Sequence, residues 1–185
     1  MRRNSLALGL ALLGAVVWLG GCGSNDSRDS EAPVFLTAEI TAGPADIDVS
    51  VPSDITIPSM SITSQAKSPT GELSAQQDVV LNEWVVTAVR SDGGTVASPV
   101  WRNYYQVYVG AGGTANLQNF RIFPSDYFRQ NPLSSLFPEN GGYDRETGRR
   151  NIRQQLRIEI FGKTVAGENV SCKVEVGLNF FYVTP

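Results

Sequence analysis

The clearest pattern in the chain is an alternation of apolar and polar residues near its C-terminus. Even-numbered positions are mostly apolar over residues 152–161 and all apolar over residues 170–180. Because successive side chains of a β-strand point to opposite faces of its sheet, each run predicts a strand with one face on a core and one in water. The turn residues at 165–169 join the two runs into a predicted hairpin. Cys172 falls on the apolar face, where we expect a small buried side chain rather than a reactive thiol.

Six further runs of alternating or β-branched residues precede this hairpin, and the fourth of them is long. Pro52 and Pro58 come at the second and third of them, which indicates edge strands or bulges, because proline cannot donate to a strand ladder. Short helical turns are expected only near residues 125–128 or 133–136, since no segment carries a sustained helical stripe. The six runs lie at residues 34–40, 47–51, 55–57, 79–90, 104–109 and 117–123.

The number and spacing of these runs predict an all-β fold. Seven or eight short strands with turn residues between them favour one antiparallel β-sandwich domain over residues 34–185. The hairpin at residues 158–176 also resembles the last two strands of bacterial immunoglobulin-like and fibronectin-like domains, which implies an immunoglobulin-like sandwich. A closed lipocalin-like barrel is the alternative architecture, although it needs strands of more even length.

Two long segments interrupt the strand pattern, at residues 61–78 and 124–150. Structureless segments of this length are uncommon in compact domains and are usually functional or disordered. The second segment contains six large apolar or aromatic side chains, too many for a plain linker. We therefore expect it to fold back over an end or face of the sandwich, with a binding role as the alternative to packing alone.

The first 21 residues have the layout of a secretory signal peptide. Arg2 and Arg3 precede an apolar run over residues 6–19, and small residues follow that run. A membrane-spanning helix is the weaker alternative, because it needs roughly 20 apolar residues and this run is shorter. The leader therefore predicts export of the chain.

The sequence Leu-Gly-Gly-Cys22 closes this leader. It resembles the lipobox of bacterial lipoproteins, in which a leucine and two small residues precede a cysteine. The resemblance implies cleavage before Cys22, acylation of that cysteine and anchoring to a membrane. Gly23 rather than aspartate follows the cysteine, which in this class implies the outer membrane of a bacterium. Residues 22–33 are small or polar and predict a flexible tether between the membrane and the folded domain.

Composition excludes several kinds of site. The net charge of −3 falls to −5 when Arg2 and Arg3 leave with the leader, which argues against nucleic acid as a partner. With Cys22 acylated, the remaining thiol cannot form an internal disulfide. The absence of histidine excludes Ser-His-Asp and Cys-His catalysis and the usual histidine-based metal sites. We therefore expect no cofactor, no metal and no catalytic residue, while carboxylate chemistry, a Lys or Tyr base and calcium binding stay open as alternatives.

Aromatic residues are concentrated at Trp101, Tyr104, Tyr105 and Tyr108. If the strand predicted over 104–109 turns Tyr105 inward, Tyr104 and Tyr108 form an exposed ladder with Trp101 nearby. Flat amphipathic rings of this kind suit sugars and protein partners. The alternative is that the rings only stabilise the sheet, or that the second long segment covers them.

Basic residues are concentrated at Arg145, Arg149, Arg150, Arg153 and Arg157. Arg153 and Arg157 share the predicted solvent face of their strand. Guanidinium groups suit phosphate and carboxylate partners such as lipid head groups or an acidic glycan. The alternative is a solvated face that pairs with the N-terminal part of the domain, where acidic side chains outnumber basic ones.

Two acidic groups could carry chemistry, Asp46 with Asp48 and Asp144 with Glu146. Oxygen ligands in a Gly-rich loop can hold calcium, although the spacing here does not match an EF-hand. A carboxylate pair could also serve glycoside hydrolysis if it lay across a cleft at a suitable separation. Turn chemistry is the alternative for both groups.

These observations favour a membrane-anchored lipoprotein that binds or scaffolds in the bacterial cell envelope rather than catalyses. The expected partners are the membrane, through the acyl chains on Cys22, and an envelope protein or glycan. A carrier or assembly factor for a hydrophobic ligand is the first alternative, and a carboxylate-dependent glycan-acting enzyme is the second. The candidate binding surface comprises Trp101, Tyr104, Tyr108, Arg153, Arg157 and the segment 124–150.

Overall fold

The computed structural model describes residues 32–183, so the leader, Cys22 and most of the predicted tether lie outside the described residues. The strands are β1 (Val34–Ala42), β2 (Asp46–Asp48), β3 (Ile55–Ala66), β4 (Val79–Arg90), β5 (Trp101–Asn103), β6 (Val107–Val109), β7 (Thr114–Phe123), β8 (Asn151–Thr164) and β9 (Asn169–Phe181). Short 3₁₀ helices occur at Ala75–Gln77, Ser125–Arg129, Leu133–Leu136 and Pro138–Asn140. None of the helices within residues 32–183 has the length and apolar character needed to cross a membrane.

The strands form two sheets. The smaller sheet has the order β1-β3-β7, and the larger has the order β2-β9-β8-β4-β5, with β6 also paired to β4. All of these pairings are antiparallel except that of β2 with β9, which is parallel and makes the larger sheet mixed. The predicted all-β sandwich is confirmed, and the arrangement in two separate sheets is not that of a closed barrel.

The apolar faces of the two sheets enclose one core. Trp84, Phe123 and Phe180 are among the largest fully buried side chains. The rings of Phe123 on β7 and Phe180 on β9 lie 5.5 Å apart, so this contact joins the two sheets. Cys172 is 2% exposed, which confirms its predicted inward position. Burial raises the pKa of its thiol to about 12.

The prediction of a long loop at residues 61–78 is wrong for its first six residues, because β3 continues to Ala66. Only Ile62 and Ala66 are apolar there, so the alternation that predicts strands is weak. Ser61 pairs with Glu39 of β1 on one side and with Asn116 of β7 on the other. Backbone pairing to two neighbours therefore extends the strand where side-chain alternation does not predict it.

The second predicted run is the edge strand β2, as its proline indicated, although neither proline lies within an edge strand. β2 ends at Asp48, so Pro52 lies in the connection that follows it. Pro58 lies within β3, which is the central strand of its sheet rather than an edge. The pairing of β3 with β1 stops at the residue after Pro58, and Pro58 has no ladder partner on β7, where Asn119 adopts a left-handed backbone with φ of 50°. Because Pro58 has no ladder partner on either side, its missing N–H removes no strand pairing.

The C-terminal hairpin is confirmed and is longer than predicted, because β8 continues past residue 161 to Thr164. A Cβ atom added at Gly162 would lie 2.2 Å from the carbonyl oxygen of Val80, so the two backbones can approach this closely only at glycine. The register of β4 against β8 shifts between Leu81 and Glu83, next to this contact. Gly162 therefore keeps β8 paired to β4 through the irregularity.

The second long segment, at residues 124–150, folds back over an end of the sandwich, as expected from its apolar side chains. The ring of Phe128 lies 6.0 Å from Phe123 and 6.3 Å from Phe180, so the segment continues the core. The helical turns predicted near 125–128 and 133–136 are present as 3₁₀ helices. The large apolar side chains of the segment that are buried in the core are Phe128, Leu133, Leu136 and Phe137.

Strand directions define two ends of the sandwich. Ala32 is already buried, and the Pro33 carbonyl accepts a hydrogen bond from the backbone N–H of Lys67. Packing thus begins two residues before the predicted domain boundary, at what we call the entry end. The segment 124–150 closes the opposite end, which we call the far end. Because β1 runs between the ends and rises about 3.3 Å per residue, they are roughly 30 Å apart.

Candidate functional site: an exposed aromatic edge

Exposed large apolar and aromatic side chains are concentrated on one edge of the larger sheet. Of ten such residues in the described part of the chain, five lie within residues 96–108. Val96 lies at the far end, where its N–H donates to Glu146, and we call the remainder of the segment, residues 100–108, the aromatic edge. This segment includes β5 and β6, whose ladder pairing within residues 32–183 is to β4 alone. Single exposed apolar residues are normal on a protein surface, whereas a group of them marks a candidate interaction site. The five residues are Val96, Val100, Tyr104, Tyr105 and Tyr108.

A side chain from the core anchors the middle of this edge. Residues 104–106 form no strand, and Trp84 Nε1 donates a 2.8 Å hydrogen bond to the Tyr105 carbonyl oxygen. The Trp84 ring is fully buried and lies 4.4 Å from the ring of Phe120. The strand predicted over 104–109 is therefore wrong over its first three residues. Tyr105 is half exposed rather than inward, with its ring 5.8 Å from Phe120.

The Asp78 carboxylate holds the part of the aromatic edge that lies nearest the entry end. The Tyr108 hydroxyl donates to Asp78, which also accepts the backbone N–H of Ala111 at 2.7 Å. The hydrogen bond from Tyr108, followed by that from Ala111, lowers the pKa of Asp78. The same bond to the carboxylate raises the pKa of Tyr108. Tyr104 and Tyr108 are exposed, as predicted, and Tyr108 has a fixed orientation.

Trp101 does not join these tyrosines in an exposed ladder. It pairs with Val86, which is buried, and residues directly opposite on neighbouring strands point to the same face. The Trp101 side chain therefore points inward and packs at the margin of the core. The Arg121 guanidinium lies 5.5 Å from the centre of its ring and pairs with Asp54 at 2.9 Å.

The predicted arginines are exposed but lie away from the tyrosines. Arg157 pairs with Glu175 on β9 at 2.9 Å, so its face is solvated and charge-paired, but the partner lies in the C-terminal hairpin and not in the predicted N-terminal part of the domain. On β4, Arg157 lies opposite Thr87 while Tyr108 lies opposite Val80, a separation of roughly 20 Å along the strand. Arg153 is exposed still nearer the far end. The arginines and the tyrosines therefore do not form one site.

The far end contains a buried ionic cluster that sequence reasoning missed. Arg90 Nε lies 2.7 Å from Asp92, and its Nη2 lies 2.7 Å from Asp144. Its Nη1 lies 3.5 Å from Glu146, which is more exposed. The side chains of Arg90, Asp92 and Asp144 are each at most 3% exposed. We call these four residues the Arg90 cluster.

The environment keeps the carboxyl groups of this cluster ionised. Burial alone would raise the pKa of Asp92, but hydrogen bonds from Arg90 and from backbone N–H groups lower it to about 2. Burial likewise disfavours the ionised form of Asp144, whereas hydrogen bonds from Arg90 and Thr147 favour it. The net effect is a lowered pKa of Asp144. Hydrogen bonds from Thr95 and from the backbone lower the pKa of Glu146. Asp144 and Glu146 are thus both ionised at neutral pH, and neither is held as a general acid.

The other predicted acidic pair is engaged in local hydrogen bonds. Asp46 accepts from the Asn179 side chain at 2.9 Å, and Asp48 accepts the backbone N–H groups of Ser50 and Val183. Among residues 32–183, no group of three acidic or cysteine side chains is arranged to hold a metal ion. The arrangement agrees with turn chemistry for these two aspartates.

Comparison of the chain with protein-family models finds no matching family, and comparison with curated proteins finds no match.

Proposed function

We propose that this chain is a membrane-anchored lipoprotein of the bacterial cell envelope and that its aromatic edge binds a partner protein without catalysis. The lipobox sequence ending at Cys22 supports the anchor, and Gly23 favours the outer membrane. The observation that carries the binding role is the exposure of Tyr104, Tyr105 and Tyr108, at 75%, 50% and 59%, on one edge of one sheet.

The fixed geometry of the edge supports recognition of a protein. Tyrosine is enriched in protein interfaces because it offers a large, amphipathic and rigid contact surface. The Trp84 indole and the Asp78 carboxylate already hold Tyr105 and Tyr108 in place. Since a pre-ordered surface loses little conformational entropy on binding, a modest edge can give useful affinity.

The structure favours surface binding over the two alternatives. A carrier needs free space between the sheets, and the buried rings of Trp84, Phe123 and Phe180 occupy that region. A carboxylate enzyme needs a protonated acid beside a base, whereas Asp144 and Glu146 are ionised in the Arg90 cluster.

The test is recovery of a crosslinked partner by the acylated full chain from its own membranes. We expect one protein to be recovered with the wild-type chain and to fall by roughly tenfold or more with Tyr104→Ala/Tyr108→Ala, since central aromatic residues dominate interface energetics. Quantitative mass spectrometry of the crosslinked species measures the change.

The matched control is Val51→Ala/Val183→Ala, which removes exposed apolar side chains at the far end, away from the aromatic edge. It should leave recovery unchanged, and the thermal unfolding midpoints of both variants should show that they are folded. Equal recovery with the wild-type and tyrosine-variant chains would mean that the edge serves the sheet alone, and the proposal would fail.

A further inference from the structure

The far end contains a second feature, a cleft of about 300 Å³, separate from the aromatic edge. This volume is at the lower end of the range of small-ligand sites. Its wall combines apolar and aromatic surface with one charged group, the pattern that such sites usually show. The lining residues are Leu136, Pro138, Gly141, Gly142, Tyr143, Arg150 and Tyr182.

Arg150 supplies the charge of this cleft. Asn151 pairs with Phe181 at the start of β8, so the next ladder position brings Arg150 opposite Tyr182. The Arg150 side chain is exposed and has no ion pair within residues 32–183, whereas Arg90, Arg129 and Arg157 each have one. A guanidinium facing a cleft without a carboxylate of its own suits a carboxylate from a ligand, which it can bind through two parallel hydrogen bonds.

Tyr182 is held in place on one side of the cleft. Its ring packs edge-on against Phe137, with the ring centres 5.3 Å apart. Phe137 is itself buried, and the Arg129 guanidinium lies 3.8 Å from its ring centre. The carboxylate of Asp48, which accepts the N–H of the residue after Tyr182, is already engaged and does not compete for Arg150.

Tyr143 lies on the other side, with its backbone anchored and its ring half exposed. Its backbone N–H donates a 3.1 Å hydrogen bond to the Ser135 carbonyl oxygen, which fixes the residue on the buried 3₁₀ helix. Gly141 has a φ of 115°, and a Cβ atom there would lie 3.2 Å from the Tyr143 ring. Glycine at this position therefore leaves the ring beside an open cleft floor.

We propose that this cleft binds a sugar ring that carries a carboxylate. The two tyrosine rings offer flat apolar faces for the C–H groups of the sugar, and their hydroxyls can exchange hydrogen bonds with the sugar hydroxyls. Arg150 binds the carboxylate. Because the Tyr182 ring is already packed against Phe137, the ligand mainly has to order the half-exposed Tyr143 ring when it binds.

The position of the cleft fits a ligand outside the anchoring membrane. The chain enters the sandwich at Ala32, and the cleft lies at the opposite end, roughly 30 Å away. This point rests on the anchoring proposed above, whereas the chemistry of the cleft does not. The inference can thus succeed or fail independently of the lipid anchor and of the aromatic edge.

The test is saturation-transfer NMR on the full chain in detergent micelles. The probes are D-glucuronate and N-acetylmuramic acid, with D-glucose and N-acetylglucosamine as partners that lack the carboxylate. Acetate serves as a carboxylate without a ring. We expect at least one acidic sugar to bind at concentrations up to roughly 10 mM, and its neutral partner and acetate to bind at least tenfold more weakly.

Two variants locate the binding. Arg150→Gln and Tyr143→Ala should each weaken binding of the acidic sugar by roughly tenfold, through loss of the charged hydrogen bonds and of the ring face respectively. Arg149→Gln is the matched control, since Arg149 is an adjacent exposed arginine outside the cleft lining, and it should leave binding unchanged.

Three results would overturn the inference. One is the absence of transfer to either acidic sugar, and another is equal transfer to the neutral sugars or to acetate. The third is an equal loss with Arg149→Gln and Arg150→Gln, which would indicate general attraction to positive charge. None of these results depends on recovery of a protein partner through the aromatic edge.

Discussion

Arg90 ends β4 with its guanidinium enclosed by carboxylates from two different connections. Asp92 comes from the connection after β4, while Asp144 and Glu146 come from the segment 124–150. The Asp92 carboxylate also accepts the backbone N–H of Arg153 in β8. Because removal of one partner leaves an uncompensated buried charge, such a cluster is costly to break. We infer that charge, rather than strand pairing, holds these connections together.

Replacement of Asp92 tests this role. We expect Asp92→Asn to lower the free energy of unfolding at neutral pH by about 3 kcal/mol. In the wild-type chain, the pKa of Asp92 falls from 3.8 to about 2 on folding, so the stability it contributes is present above about pH 4 and is lost as the pH falls to about 2. This component amounts to about 2 kcal/mol, and Asp92→Asn should remove it.

Urea unfolding at several pH values measures both effects. The control is Asp126→Asn, which changes an exposed aspartate outside the Arg90 cluster and should leave the stability and its pH dependence close to wild type. If Asp92→Asn retained the full loss between pH 4 and pH 2, the Asp92 carboxylate would not be the source of that loss.

The sequence could indicate one member of the Arg90 cluster but not its partners. Arg90 is in phase with Trp84, Val86 and Ala88 on β4, so the alternation places a charge on the core face and demands a partner. Asp144 lies 54 residues away in a segment with no periodic pattern, and no local rule connects the two. The pairing follows only from the way that segment closes the far end.

The strands were predicted best where one face is buried and one is solvated. The bounds of β4 match the predicted run, and the β8–β9 hairpin was identified from alternation alone. The prediction is wrong where backbone pairing decides instead, as in the second half of β3. It is also wrong over residues 104–106, because a hydrogen bond from the distant Trp84 fixes their backbone outside the strand ladder.

The long β8 strand depends on Gly162. We expect Gly162→Ala to lower the free energy of unfolding by roughly 2 kcal/mol or more, because the new methyl group would lie 2.2 Å from a backbone oxygen of β4 that cannot move alone. Gly177→Ala on β9 is the matched control. A Cβ atom at Gly177 meets the end of the flexible Gln155 side chain at 3.3 Å, so this change should be neutral or slightly stabilising.

Chemical denaturation of the two alanine variants gives the comparison. Equal stability of Gly162→Ala and Gly177→Ala would show that β4 and β8 can separate without cost at this point. In that case the close backbone approach would not be what requires glycine.

The whole molecule has a direction that follows from how the chain enters the sandwich. The entry end joins the predicted tether, the aromatic edge runs along one side, and the far end contains the Arg90 cluster and the cleft. The sequence predicts one β-sandwich on a tether, because the sandwich follows from the number and alternation of the strand runs and the tether from local composition. They do not predict that Tyr104 and Tyr108 lie apart from Arg157, because that separation depends on the strand order and register.

The two cysteines test the anchor and the fold in one experiment. If Cys22 is acylated on sulfur, Cys172 is the only thiol, and it is buried on β9 with a pKa raised to about 12. Because the thiolate is the reactive form, the native full chain should not react with a thiol reagent on the timescale of a free cysteine. Unfolding in denaturant should then release one reactive thiol per chain, and Cys172→Ala should release none.

Two thiols after unfolding would contradict acylation of Cys22. Rapid reaction of the native chain, abolished by Cys172→Ala, would contradict the burial of Cys172 between the sheets.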